Sequence, residues 1–517
     1  TKCPSCRYEF NPSNFMAPSP MKLQEPETDT NVFSLGRDEP LEKQNKISMN
    51  LSLTTRQSKV SNETIAVAQA FGVGIDETIR TRIFEDFEIC YNDRDLIYVT
   101  GDSGSGKSSF LRLLSNHELS RERKVMRFSQ VKPCNDEILV EGMGSSVEEN
   151  MRFLGLVGLS EASIMVRRFD ELSEGQKYRY KLAKMIREPA DAYIVDEFAS
   201  TLDRITAKVL AFNVQKWARK MGKMVAIATP HQDLVTDFNP NILVYKGFGE
   251  TAQIHYFDPK EAEASFMGQI SLLKANFEDY IELGQFHYIN DKPSFFTSLY
   301  KLVFQQKIIG IIVYSSPFLR ISLRNRALPR YRSANPQTVN RDIVRISRVI
   351  IHPKFRGIGL GKKLVKETIP LTKAKVVEVV AAMGIYNPFF EKAGMIYVGN
   401  LPIPREGRRL IKTIKELGGV PALLHSQIER IKFIEGLSTE EKNRLTDALI
   451  KSYESHQRQF GRGINEAKRM FREFAHFGLE TLLKNMIPVE RAYLYWINPE
   501  RSSSEYMTIL RNKPGDT

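Results

Sequence analysis

A multidomain α/β fold is predicted by three observations. Two glycine-rich turns each sit between an apolar strand pattern and a helix pattern, strands and helices alternate through most of the chain, and the C-terminal part reads as helices. The length of 517 residues, at roughly 150 residues per domain, suggests about three domains. The boundaries read as a polar, flexible tail at 1–45, a first α/β domain at 46–260, a second at 261–405, and a helical extension at 406–517. Hydrophobic residues make up 42% of the chain and aromatics 10%, which excludes a wholly disordered polymer. A bilayer-spanning helix needs about 18 uncharged apolar residues in a row, and the sequence has no such run. Four cysteines are too few for a disulfide framework and suit a cytoplasmic protein. The polar segment from Thr1 does not read as a signal peptide. Lys and Arg number 74 against 61 Asp and Glu, a net charge of +13 that favours a polyanionic partner.

The tail opens with Cys3-Pro-Ser-Cys6, and two thiolates at this spacing make half of a tetrahedral zinc site. Cys90 and Cys134 supply no second pair. Two readings stay open: a Zn²⁺ knuckle completed from elsewhere, or a solvated tail with two free thiols.

In the first α/β domain the strand pattern Leu96–Thr100 runs into Gly101-Asp-Ser-Gly-Ser-Gly-Lys-Ser108, and an apolar helix starts at Phe110. This is a phosphate loop in its strand–loop–helix setting. Glycines let backbone N–H groups face phosphates, and the helix N-terminus adds partial positive charge. Gly101, Ser103, Gly104, Ser105, Gly106, Lys107, Ser108 and Ser109 are the predicted ATP contacts. Lys107 is expected to reach the β- and γ-phosphates and Ser108 to bind Mg²⁺. A second apolar strand, Ala192–Val195, ends in Asp196 and Glu197. Asp196 suits the Mg²⁺ shell, and Glu197 suits polarising a water for attack on the γ-phosphate.

With these residues in view, the segment resembles the ABC-type ATPases. Leu172-Ser-Glu-Gly-Gln176 is similar to their signature sequence, Ala199–Asp203 to the D-loop, and Thr229-Pro-His231 to the switch histidine. The resemblance implies nucleotide contacts at Ser173, Gly175, Gln176 and Asp203, a catalytic role for His231, and a Q-loop role at Gln130, near both ATP and Mg²⁺. It also implies that Phe71 stacks on adenine. Glu174 stands where the family has glycine, which puts a carboxylate near the opposing phosphates and is expected to slow hydrolysis. One such domain per chain implies an ATP-dependent head-to-tail dimer with a second copy. The short stretch from Lys107 to Ser173 leaves room only for a small helical subdomain, so the soluble branch fits best.

The second turn follows the strand pattern Arg345–Ile351 and Ile351-His-Pro353, and reads Arg356-Gly-Ile-Gly-Leu-Gly361 before Lys362. Physically it is another anion cradle at a helix start. With Asn387-Pro-Phe-Phe-Glu-Lys-Ala-Gly-Met395 it resembles the GNAT acetyltransferases. That resemblance implies an acyl-CoA such as acetyl-CoA, with Val349, Ile350 and Ile351 pairing to pantetheine. It places pyrophosphate on Arg356, Gly357, Ile358, Gly359, Leu360, Gly361 and Lys362, with Asn387 and Phe390 also in the site. Phe390 stands where many members have a general-acid tyrosine; Tyr386 is the substitute, and His287 is the candidate on the acceptor side. The nearby acid Asp342 is the sole one flanking the central strand on the sequence, so a base of the family type is missing.

Between Arg320 and Lys363 twelve basic residues face one acid, Asp342. Arg320, Arg324, Arg326, Arg330 and Arg332, with Tyr331 among them, suit phosphate contacts and base stacking. The alternative is an ordinary basic face. Together the parts resemble an archaeal and phage fusion of an ABC ATPase with a GNAT domain. The expected function is ATP-coupled, acyl-CoA-dependent N-acetylation of RNA or DNA. The alternatives are a nucleic-acid- or ribosome-associated ATPase switch whose GNAT fold only binds, and an N-acetyltransferase for protein or a small amine.

Overall fold

The computed structural model describes residues 45–55, 60–74, 79–259, 263–287, 296–382, 384, 386–459 and 478–501. Cys3 and Cys6 lie outside them. The chain divides into two compact units, 1–143 with 168–265, and 144–167 with 266–517.

The first unit opens with an antiparallel ribbon of β1 (Asn45–Thr55) and β2 (Ile79–Tyr91), joined through helix α1 (Asn62–Phe71). Next come β3 (Leu96–Thr100), helix α2 (Lys107–Ser120) and β4 (Val125–Arg127). The chain then leaves the unit for helix α3 (Val147–Leu156) and returns at Arg168 into helix α4 (Glu174–Arg187). The rest is β5 (Ala192–Val195), α5 (Arg204–Met221), β6 (Met224–Ala228), β7 (Ile242–Tyr245) and β8 (Gln253–Tyr256). The sheet order is β4-β5-β6-β3-β7-β8, parallel except for the last pair. Strands β3, β5 and β6 are buried at every position, as expected of parallel strands covered on both faces. Ile89 and Phe87 of the ribbon close one core with Phe110, Leu114, Val99 and Ala226. Because the strands are parallel, the carboxyl ends of β3, β5 and β6 share one edge, which is where such sheets bind ligands.

The second unit holds β9 (Ser271–Lys274), helix α6 (Phe277–Gly284), β10 (Phe296–Phe304) and β11 (Lys307–Ser315). Helices α7 (Ser322–Ala327) and α8 (Pro336–Asp342) lead into β12 (Ile343–Ile351), followed by α9 (Leu360–Thr368), β13 (Val376–Ala381) and β14 (Ile396–Leu401). Among the described residues four helices come next: α10 (Arg405–Glu416), α11 (Gln427–Glu435), α12 (Thr439–Gln459) and α13 (Gly478–Met486). Their inner faces form a core of their own around Leu410, Ile414, Leu445, Leu449 and Leu483. Strand β15 (Arg491–Ile497) completes the sheet.

Its order is β14-β15-β13-β12-β11-β10-β9, and β12–β13 is the parallel pair. That ladder joins only Ile343–Ile346 to Val376–Val379. Beyond it β12 stays bonded to β11 as far as Ile351, while β13 pairs onward with β15. The two parallel strands therefore part from Ser347 onward.

Two expected boundaries are corrected. The 406–517 segment is not a purely helical extension, because β15 returns between β13 and β14. Ala492-Tyr-Leu-Tyr-Trp-Ile497 is rich in the aromatic and branched residues that favour strands, and it carries the sheet's register with Val376–Ala381. Residues 144–167 lie inside the sequence of the first domain but pack with the second unit.

Candidate functional site

The phosphate loop is built by backbone constraint. Gly101 has φ 129°, and a β-carbon there would lie 2.0 Å from the Lys246 carbonyl oxygen. Gly104 and Gly106 also have positive φ, at 78° and 105°. Gly106 caps α2 with no side-chain hydrogen bond, so a glycine and not a polar side chain precedes the helix's first amides. Lys107 folds over the loop, its Nζ donating to Gly101 O at 2.9 Å and to Asp102 O. Burial lowers its pKa, while the Asp102 and Asp196 carboxylates pull it back up. The Ser105 hydroxyl is buried without a hydrogen-bond partner, whereas Ser103 and Ser108 are exposed and Ser109 is half-buried. Uncapped helix amides, an ammonium and a buried hydroxyl fit a polyphosphate.

Asp196 and Glu197 follow β5 and are exposed. Glu197 sits at φ 51° and donates its N–H to Asp196 Oδ1 at 3.0 Å. The bend is held by Phe198 N–H to Ala228 O at 2.8 Å and Ala199 N–H to the buried Tyr178 hydroxyl at 2.9 Å. After β6, the His231 carbonyl accepts from Tyr98 Oη and its N–H donates to Thr229 Oγ1 at 3.3 Å. Burial and then Arg204 push the His231 imidazole below its usual pKa, which favours the neutral form.

In the signature segment Ser173 and Gln176 form a capping box at the start of α4, with Ser173 N–H donating to Gln176 Oε1 at 3.0 Å. Gly175 packs near Leu202 and the Thr201 carbonyl. The Glu174 side chain is 81% exposed and pairs with Lys177 at 3.0 Å. Asp203 caps α5 through Thr206 N–H and Oγ1, at 3.2 and 2.8 Å. Gln130 Oε1 accepts the Arg127 N–H at 3.0 Å. Gln130, Gln176 and Asp203 thus each commit a side-chain oxygen to a local turn or cap. Phe71 is 79% exposed at the end of α1.

In the second unit Gly357 and Gly359 have φ 92° and 93°, and Gly359 caps α9 without a side-chain hydrogen bond. Ile358 and Leu360 are buried and anchor the turn, while Lys362 is exposed. Gly361 lies against the Phe389 ring, so the turn adjoins the Asn387–Phe390 motif. Phe390 is buried against Phe389, with ring centroids 4.1 Å apart; Asn387 and Tyr386 are exposed. His287 is half-buried in the turn after α6, its N–H bonded to Gly284 O at 3.0 Å. Val349 and Ile351 are half-buried and Ile350 is buried, on the stretch of β12 beyond the β13 ladder. Arg356, expected at the pyrophosphate, donates to Ile351 O at 2.8 Å, Ser160 Oγ at 3.1 Å and Phe286 O at 3.5 Å, so it braces the turn.

The arginine-rich segment divides between surface and core. Arg324, expected on a nucleic acid, is 0% exposed. Its guanidinium donates to Phe318 O and Leu319 O, each at 2.7 Å, and pairs with Glu378 at 3.2 Å. Tyr331, expected to stack on a base, is 3% exposed and packs in the core with Phe318 and Tyr493. Arg330 lies over its ring at 4.5 Å. Arg326 is exposed and donates to Val398 O at 3.2 Å, and Arg320 and Arg332 are exposed. Arg345 lies over Phe318 at 4.4 Å, and burial pushes its pKa down to about 10.

Glu378 was not among the expected site residues. It is fully buried on β13, beside the point where β12 and β13 part, and accepts from the Tyr493 hydroxyl at 3.1 Å. Its signal in the sequence is a lone acid inside Val376-Val-Glu-Val-Val-Ala381. Among the described residues, no group of three or more His, Cys, Asp or Glu side chains could hold a metal, and no helix is long and apolar enough to cross a membrane.

Residues 84–200 match the family model described as ABC transporter. The cytochrome c biogenesis ATP-binding export protein CcmA of Colwellia psychrerythraea is 29% identical over 178 residues, covering 30% of this chain and 80% of that protein. The CcmA protein of Pasteurella multocida is 27% identical over 183 residues, 29% of this chain and 83% of the relative. Among solved structures, the dimeric structure of MJ0796, a bacterial ABC transporter cassette, aligns at 17% identity with a TM-score of 0.30, over 35% of this chain and 94% of that one. The phosphate loop, the acidic edge and the family match coincide in one segment, and the chain contains an ABC-type ATP-binding domain.

Proposed function

We propose that the chain is an ATP-switched acyltransferase: an ABC ATPase that pairs with a second copy of itself and governs acyl-CoA-dependent N-acetylation by residues 266–501, with RNA or DNA as acceptor. On the ATPase side, the amides of Gly104–Lys107 and the Lys107 ammonium would hold the phosphates, and Ser108 and Asp196 the Mg²⁺. Bound ATP with Mg²⁺ would supply the cleavable phosphoanhydride. Glu197 would take a proton from water and the neutral His231 would hydrogen-bond beside it, a division of roles supported by the exposure of Glu197 and the lowered pKa of His231. Ser173 and Gly175 begin an exposed helix start, which suits closure over the nucleotide of a second copy.

The observation that carries the transferase reading is the parting of β12 from β13 beside an uncapped helix start. Ser347–Ile351 lose the β13 ladder while Gly357 and Gly359 turn amides toward the start of α9. A strand edge suits the amide groups of pantetheine and the turn suits a pyrophosphate. An amine would attack the thioester carbonyl, the C–S bond would break, and the amine's proton would leave as CoA thiol forms. Arg320, Arg326, Arg330 and Arg332 support a polyanionic acceptor, while Arg324 and Tyr331 belong to the fold.

The test is transfer of labelled acetyl from acetyl-CoA into pooled RNA, DNA and protein, with and without ATP and Mg²⁺. Label in nucleic acid that requires ATP and is lost with Lys107→Ala supports the reading. Label in protein alone overturns the acceptor. A second reading, a CoA-binding module without transfer, is favoured by the buried Phe390, whose ring has no proton to give; no label with ATPase intact would select it.

A further inference from the structure

We propose that the glycine turn at 356–361 is an effector site for the ATPase, and that residues 144–167 carry the linkage between acyl-CoA and ATP. This rests on the acyl-CoA reading above and adds to it a second role for the bound thioester.

The first support is the path of the chain. The segment departs after Met143 and returns at Arg168, which bridges to Ile138 a few residues before Ser173. It therefore connects directly to the signature residues that cap α4. Its other partners are in the second unit. The second support is the contact itself. Ser160 follows the buried run Val157-Gly-Leu159, so its hydroxyl is mounted on a packed base. Arg356 Nη1 donates to that hydroxyl at 3.1 Å, while Nε holds Ile351 O at 2.8 Å. Ile351 ends the strand edge offered to pantetheine, and Gly357 begins the turn offered to pyrophosphate.

One guanidinium thus joins the edge, the turn and the segment. A dianionic pyrophosphate arriving at the turn attracts that guanidinium and changes its hold on Ser160. The segment is covalently tied at both ends to the ATPase unit, so the change reaches Arg168–Ser173. Linkage makes the effect reciprocal: the factor by which acyl-CoA changes ATP affinity equals the factor by which ATP changes acyl-CoA affinity.

The experiment measures binding of a non-hydrolysable ATP analogue with Mg²⁺ to the full chain by calorimetry, with and without saturating acetyl-CoA, and then the reverse pair. Wild type is expected to show equal shifts of about fivefold or more, within the usual range for coupled sites. Ser160→Ala is expected to bring both factors close to one while each ligand still binds alone, and Ser160→Thr, which keeps the hydroxyl, to retain them. Two ligands that bind without affecting each other, or coupling that survives Ser160→Ala, would overturn this inference and leave the acyl-CoA reading standing. Failure of acetyl-CoA to bind wild type at all would overturn both.

Discussion

Replacing Arg324 with Met separates a structural arginine from a nucleic-acid contact. Arg324 is fully buried, satisfies two carbonyls at 2.7 Å and faces Glu378 at 3.2 Å. Methionine preserves much of the stem but leaves a buried carboxylate without its main counter-charge, a loss on the order of 3–5 kcal/mol. A slope of about 3 kcal/mol per molar urea for a unit of this size converts that into a midpoint lower by about 1–2 M. The two tryptophans make the assay specific, because Trp217 lies on α5 and Trp496 on β15. In a Trp217→Phe background, Trp496 fluorescence follows the unit that holds Arg324. Burial already raises the Glu378 pKa, with Arg324 the largest force pulling it back. Without Arg324 the folded protein prefers the protonated acid still more, and that contribution is lost as pH rises through the folded pKa. The penalty should therefore be larger at pH 8 than at pH 5, and Glu378→Gln added to Arg324→Met should recover part of it. A midpoint unchanged within about 0.3 M, with weakened salt-dependent binding of nucleic acid, would refute the structural assignment.

Four further outcomes are expected. Lys107→Ala should weaken ATP binding about 10- to 100-fold, as expected for lost charge-assisted hydrogen bonds, and abolish hydrolysis, measured by calorimetry and phosphate release. Gly101→Ala forces a β-carbon onto the Lys246 carbonyl at 2.0 Å, so ATP binding should fall at least as far as with Lys107→Ala, by the same titration. The His231 imidazole has a lowered pKa, so the unfolded chain takes up a proton near pH 6.5 that the folded protein refuses; stability should fall as pH drops through that range. Proton NMR should place the His231 titration below the ordinary value, and Arg204→Ala should raise it. Glu197→Gln should slow hydrolysis without loss of ATP binding, and light scattering should then find an ATP-dependent dimer; a monomer under saturating ATP would contradict the pairing.

Much of the nucleotide site is legible in the sequence because backbone geometry makes it. Gly101, Gly104 and Gly106 are required by positive φ, and no other residue type takes those conformations as readily. The strands around them are short uninterrupted apolar runs, which a parallel sheet needs. The same logic makes Gly357 and Gly359 readable. Strand β15 was not legible as part of the sheet, since its partners β13 and β14 are far away in the chain and a run of helices intervenes. Register between distant strands is a tertiary property, and Val376–Ala381 against Ala492–Ile497 has no local marker.

Side chains that carry charge are read less well, for a physical reason. An arginine in a sequence is a charge, but its long stem lets the guanidinium reach either water or a buried acid. Arg320 and Arg332 reach the surface, whereas Arg324 turns inward because Glu378 on a distant strand neutralises it and two carbonyls accept its donors. Arg356 behaves in the same way on a smaller scale: the motif places it at the turn, and its fork is engaged by Ile351 O and by two acceptors distant in the sequence, Ser160 Oγ and Phe286 O. Charge density along the chain therefore overstates the charge offered to a polyanion here. On the proposed reading the acceptor face comprises Arg320, Arg326, Arg330 and Arg332, and a polyanion that binds them should be released by salt while leaving the buried Arg324–Glu378 pair intact.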